Sequence, residues 1–146
     1  DGLHQKSGIP RNKIIEIHGN AIEAACLECG AKQDITDFHD AIKTKKQLPR
    51  CIVCNGTVKV ATISFGQPMH EEDMEKASNI VEDSDLMIVM GSSLKVLPAG
   101  KLPNLAMQSG SKLVILNREK TRYDSIADVV INDELQNICS GLIQEL

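Results

Sequence analysis

Ile14-Ile15-Glu16-Ile17-His18-Gly19-Asn20, then Cys26-Leu27-Glu28-Cys29 and, further on, Cys51-Ile52-Val53-Cys54 are the stretches that decide how this chain is read. The first is a β-branched apolar run that stops on a histidine and a glycine. It predicts a buried strand with His18 at its mouth. The other two are paired cysteine hooks. Each hook lets two thiolates reach one ion from a tight turn, and two hooks supply four soft ligands at about 2.3 Å. Gly30 and Asn55-Gly56 are the turn residues such knuckles need. Cys26, Cys29, Cys51 and Cys54 are therefore expected to hold a structural Zn²⁺, because four thiolates leave no open position for chemistry. Two disulfides or a redox pair are the alternative. Disulfides are disfavoured because no secretory signal is visible, although a chain that begins mid-protein cannot show one.

Working outward, Ser7-Gly8-Ile9-Pro10 reads as loop. Between the hooks, Asp34 to Lys46 places Phe38 and Ile42 four apart, with acids early and lysines late, which predicts a short helix with His39 on its exposed side. Val58 to Gly66 is β-rich and is expected to re-enter the main sheet. Glu71 to Asp83 spaces Met74, Ala77 and Val81 along one helical face. Asp85-Leu-Met-Ile-Val-Met-Gly91 predicts a parallel strand covered on both faces. Pro98 opens a helix that Gly110 closes. Lys112 to Asn117 is a second buried strand, Ala127 to Ile131 a shorter one, and Glu134 to Leu146 a last amphipathic helix.

Strand and helix alternate from Phe65 onward. The fold class is thus α/β, a partial Rossmann-like parallel sheet with helices on both faces, plus an inserted small zinc-ribbon module. Residues 1–22 and 61–146 are assigned to the first and 23–60 to the second. Ligands in such sheets bind at the carboxyl ends of the strands, where His18, Phe65-Gly66, Gly91-Ser92-Ser93 and Asn117 are expected to fall. A lone Gly-Ser-Ser turn is more often only a turn; the coincidence at one edge is what gives it weight.

Composition narrows the function. The 146 residues are 42% hydrophobic with a net charge of −4, enough for one core and a metal-held satellite. The acidic balance and the supply of one Tyr and two Phe argue against direct nucleic-acid binding. The longest apolar run, Leu86 to Met90, is too short to span a bilayer, so no membrane is expected. Nothing marks an export route, and a cytoplasmic location is expected.

The order Asp-x-Leu-His (1–4), Ile-Glu-Ile-His-Gly-Asn (15–20), the two cysteine hooks, Phe-Gly-Gln (65–67), Gly-Ser-Ser-Leu-x-Val-x-Pro-Ala (91–99), Val-Ile-Leu-Asn (114–117) and Ala-Asp-Val-Val-Ile (127–131) resembles the sirtuin family of NAD-dependent protein lysine deacylases. The resemblance is collinear over the whole chain. It implies transfer of an acyl group from lysine to ADP-ribose with release of nicotinamide, with NAD as co-substrate and an acyl-lysine protein or peptide as partner. His18 matches the catalytic base that takes a ribose hydroxyl proton from the alkylimidate, a task suited to an imidazole. Asp1 matches the aspartate at the nicotinamide carboxamide, Gly91, Ser92 and Ser93 the turn at phosphate and ribose, and Asn117, Arg118, Glu119 and Leu135 the adenosine side. An extended substrate would pair with Ile63 to Gln67, including Phe65 and Gly66, and with Leu94 to Val96, Phe65 lining the acyl-lysine tunnel.

The chain departs from the family pattern at Gln67, where glutamate is frequent. It also lacks the family's Gly-Ala-Gly-x-Ser loop, its Asp-Phe-Arg segment and the Gln-Asn before Asp1. The resemblance therefore implies the carboxyl-terminal portion of a sirtuin, inactive by itself. Protein ADP-ribosylation from the same NAD site and a non-catalytic zinc-ribbon interaction module are the competing functions.

Overall fold

The computed structural model describes residues 1–44 and 47–145, with the side chains of Asp40 and Ala41 outside the description. The chain divides into two compact units, Asp1–Asp73 and Met74–Leu146.

In the first unit a short helix α1 (Leu3–Lys6) and a 3-10 turn (Arg11–Lys13) lead to residues 14–17, which are half-buried but form no strand. The strand expected there is displaced: β1 is Gly19–Cys26, so His18 precedes a strand instead of ending one. Gly19 is the reason. Its φ is +69°, and a Cβ would lie 1.9 Å from the Ala61 carbonyl oxygen, while its N–H donates to the Glu16 carbonyl at 2.7 Å. The chain thus turns at Ile17–His18 and only then joins the sheet. Gly19→Ala is expected to cost more than about 2 kcal/mol, from left-handed strain plus the clash. Denaturant titration checks this, and a midpoint equal to the parent's would contradict the close approach.

Strands β2 (Lys32–Asp34) and β3 (Val58–Thr62) flank β1 antiparallel in the order β2-β1-β3, with Ala24 opposite both Gln33 and Val60. The expectation that Val58–Gly66 re-enters the parallel sheet is corrected: among the described residues β3 pairs with β1. Its core is small, Ala24, Cys26, Phe38, Cys51 and Val58. After β2, Asp34 accepts the Thr36 N–H at 2.8 Å and starts a 3-10 turn (Ile35–Phe38) that continues into helix α2 (His39–Lys43). The helix expected from Asp34 is therefore 3-10 for its first turn, and its last residues, Lys45 and Lys46, lie outside the described residues. The tighter turn rotates Phe38 away from the face of Ile42, so Phe38 is buried and Ile42 exposed.

Helix α3 (Glu71–Glu82) precedes the second unit's sheet, in which β4 (Leu86–Met90), β5 (Lys112–Leu116) and β6 (Val129–Ile131) run parallel in that order. A 3-10 turn (Ala99–Lys101) and helix α4 (Leu102–Gln108) connect β4 to β5, and α5 (Leu135–Gln144) closes the unit. Gly110, at φ +91°, ends the α4 segment as its position predicts. The last helix is shorter than the expected Glu134–Leu146, and Leu146 lies outside the described residues. Val89, Leu113, Ile115, Leu94 and Tyr123 form the core, with Met87, Met107 and Val130 against it. The expected burial of β4 on both faces is not met among the described residues. Leu86, Ile88 and Met90 are about half exposed, because burial in this strand follows the period of two. No helix among the described residues is long and apolar enough to cross a membrane.

Asp128 fixes the start of β6. Its carboxylate accepts the Leu113 N–H and the Lys112 ammonium, each at 2.9 Å. The backbone N–H first, then Lys112, hold its carboxyl below the usual range. A depressed folded pKa stabilises above the unfolded value, about 3.9, and that contribution disappears as pH falls through the folded one. Asp128→Asn should flatten the acid limb of stability against pH below about 4; an unchanged limb would contradict it.

Candidate active site and metal centre

The two cysteine hooks fold alike. Gly30 N–H donates to the Cys26 carbonyl at 3.1 Å and Asn55 N–H to the Cys51 carbonyl at 2.9 Å, and both closing residues are left-handed, at φ +72° and +61°. Those conformations suit glycine and asparagine. The four Sγ atoms lie within 4.8 Å of one another, with Cys26 to Cys54 at 3.5 Å and Cys29 to Cys51 at 3.7 Å. A tetrahedron with bonds of about 2.3 Å has edges of about 3.8 Å, so the donor set fits zinc. A disulfide at about 2.05 Å does not describe these pairs.

The ligand environments are unequal. Cys51 Sγ receives the Val53 N–H at 3.4 Å and the Gln33 amide at 3.5 Å. Backbone N–H groups, that of Cys54 first, bring its thiol down to about 6. Cys26 Sγ receives the Cys29 N–H at 3.5 Å but also faces the Glu28 carboxylate at 3.3 Å. Although the Cys29 N–H favours its thiolate, burial and the neighbouring Cys54 and Glu28 leave this thiol pushed up to about 12.

His18 is exposed, and its carbonyl accepts the Ile63 N–H at 2.9 Å, beside the Gly19–Thr62 pairing. The segment around it is braced. Glu16 accepts from Gln5 at 2.7 Å and from Asn20 at 2.8 Å. Asn20, which is buried, uses its Oδ1 to accept the Ile22 and Glu23 N–H groups. The Asn20 amide, assisted by Arg11 and Lys32, also holds the Glu23 carboxyl below its ordinary value. Asp1, exposed, accepts the Leu3 N–H at 3.1 Å, and Asp1, Glu16 and His18 line one cleft of about 320 Å³. The structure thus brings together Asp1 and His18. Past Ile63 the chain turns: Gln67 N–H returns to the Ser64 carbonyl, its side chain accepts the Ser64 N–H, and Gly66 sits at φ +85°. Phe65, at the tip of that turn, is 95% exposed, so it is not a core aromatic.

In the second unit Gly91 and Asn117 follow neighbouring parallel strands, and Leu135 packs beside Gly91. Gly91 follows β4 at φ +63° with its N–H on the Leu116 carbonyl, and a Cβ there would lie 2.9 Å from Leu135 Cδ1. Asn117 follows β5, is buried, and donates to the Glu119 carbonyl at 2.6 Å. Arg118 is exposed and pairs with Glu134 at 3.1 Å and Glu119 at 3.9 Å. Ser92 accepts the Leu94 N–H at 3.3 Å, and Ser93 is half-buried beside it. The side chain of Leu94 belongs to the core, whereas Val96 is exposed. Arg122 was missed in the sequence. Its guanidinium donates to the carbonyl of Leu94, a left-handed non-glycine at φ +56°, and lies 5.7 Å from the Tyr123 ring centre. No signal in the sequence links those positions.

A partial parallel sheet with Gly-Ser-Ser and Asn at its strand ends, preceded in the chain by a four-thiol ribbon, defines a Rossmann-like protein with a structural metal module. The Sir2 family model matches residues 1–98. The chain is 42% identical over 135 residues to an NAD-dependent protein deacetylase of Rhodopseudomonas palustris, covering 92% of this chain and 53% of that protein. It is 34% identical over 146 residues to NAD-dependent protein deacetylase 2 of Streptomyces coelicolor, covering 100% and 61%. A solved structure of Sir2 with a p53 peptide and NAD⁺ superposes with a TM-score of 0.87 at 33% identity, covering 99% of this chain and 59% of that one. The chain belongs to the Sir2 family, and it spans little more than half the length of these relatives.

Proposed function

We propose that the full-length protein carrying this chain is an NAD-dependent protein lysine deacylase. The observation that carries the reading is the Ile63 N–H to His18 carbonyl bond. It fixes the backbone of His18, whose side chain is exposed, at the head of the segment that presents Phe65 to solvent. The NAD-dependent protein deacetylases among its relatives support the same reading.

In this reading Asp1 holds the nicotinamide end, Gly91, Ser92 and Ser93 the phosphate and ribose, and Asn117, Arg118, Glu119 and Leu135 the adenosine. The missing bulk at Gly91 lets Leu135 pack against the turn, which brings these two candidate contacts together. When bound, NAD would offer an activated ribose carbon to the acyl oxygen, with nicotinamide as the leaving group. His18 then accepts a proton from a ribose hydroxyl, with its imidazole held by a backbone that Glu16 and Asn20 brace. Phe65, Ile63, Gly66, Leu94 and Val96 take the acyl-lysine segment; at Leu94 that role belongs to the main chain, since the side chain is in the core. We also assign residues 23–60 as the zinc module, with 1–22 and 61–146 in the cofactor domain. We also propose a cytoplasmic location, where a reducing environment would keep Cys26, Cys29, Cys51 and Cys54 available to zinc.

The test is nicotinamide release by the full-length protein with acetyl-lysine peptide, with and without NAD. Release requiring both, with acyl-ADP-ribose formed, supports the reading. Label carried onto protein from NAD would favour ADP-ribosyl transfer, and no release from folded, zinc-loaded protein would overturn both.

A further inference from the structure

Gln33 is a polar residue with 9% exposure inside the first unit, on β2 opposite Ala24. On a strand made of Lys32, Gln33 and Asp34 a glutamine ordinarily faces water. Here each of its polar atoms is engaged. Oε1 accepts the Ile52 N–H at 3.0 Å, while Nε2 donates to the Ala31 carbonyl at 3.3 Å and to Cys51 Sγ at 3.5 Å. One side chain therefore clasps the second hook at two points, its backbone and its sulfur, and ties both to the chain just past the first hook.

We propose that Gln33 is a positioning residue for the metal, acting through Cys51. Four thiolates around a divalent cation leave a net charge of −2, which N–H donors to sulfur must offset. Among the described residues, Gln33 is the side-chain amide that makes such a contact, and it does so at a buried ligand, where water cannot substitute. At Cys26 the side chain facing the sulfur is instead the Glu28 carboxylate. The sulfur of Cys51 is thus better supplied with N–H donors than that of Cys26. This role does not depend on any catalytic activity.

Two variants of the full chain separate the contacts. Gln33→Glu keeps an oxygen for the Ile52 N–H but removes the donor to sulfur; Gln33→Met fills the same space and removes both. Zinc affinity is measured by competition with a chromogenic chelator, and Co²⁺ replaces zinc to read the thiolate-to-metal charge-transfer band. We expect zinc affinity to fall about 10- to 100-fold in both variants, the range found when partners of metal ligands are removed. The cobalt band should move to lower energy, as a thiolate without its donor is easier to oxidise. Parent-like affinity in Gln33→Glu would assign the role to the Ile52 contact, and parent-like affinity in Gln33→Met would reduce the effect to added charge; either overturns the proposal. A parent chain that takes up no zinc would overturn the metal site itself.

Discussion

Stripping the metal with a strong chelator is expected to unfold residues 26–54 and to release β2 and β3 from β1. The reason lies in what the first unit's core is made of. Of its five buried members, Cys26 and Cys51 are themselves ligands, which leaves Ala24, Phe38 and Val58. Three apolar side chains remove too little surface from water to order the chain between the hooks, whose backbone entropy alone costs about 1–2 kcal/mol per residue. Structural zinc contributes about 10–16 kcal/mol in isolated fingers, far more than such a cluster. Amide hydrogen exchange should show protection at Leu27, Cys51 and Val58 collapsing on chelation and returning with zinc. Cys51→Ser should behave like the chelated protein. Undiminished protection in the metal-free protein would mean that the ribbon stands without its ion.

His18→Ala in the full-length protein is expected to lower turnover by about 10²- to 10⁴-fold, the usual contribution of a general base. Folding should be spared, because the imidazole is exposed and the bond that fixes this segment uses the His18 carbonyl, which alanine keeps. The measurement is nicotinamide release at saturating NAD and peptide, beside a melting curve. Parent-like turnover would remove His18 from the mechanism. Lost turnover with a lowered melting point would make it a structural residue.

Much of this was legible in the residues. The cysteine hooks were, because a tetrahedral ion imposes local spacing that a sequence displays. So were β4, β5 and the Gly91 and Asn117 strand ends, since apolar runs bounded by small or polar residues have few alternative folds. The position of His18 was misread. Ile14 to Ile17 has strand propensity, but Gly19 pressed against Ala61 decides where pairing starts, and that partner lies far along the chain. The helix after Asp34 differs only in its first turn and for a local reason, a side-chain cap that favours a 3-10 turn. Gln33 and Arg122 left no mark at all, since the contacts that set them apart, to Cys51 and Ile52 and to Leu94, lie far along the chain.

Arg122 carries a consequence for how this protein can change over generations. The Leu94 carbonyl is enclosed by its guanidinium and by Gly100, where a Cβ would come within 2.4 Å of that oxygen. Replacing Arg122 strands a carbonyl, and replacing Gly100 displaces it. Positions 100 and 122 should therefore drift together in homologues, an exchange at one being matched at the other, whatever side chain stands at 94, while the exposed Lys95 and Leu97 wander freely.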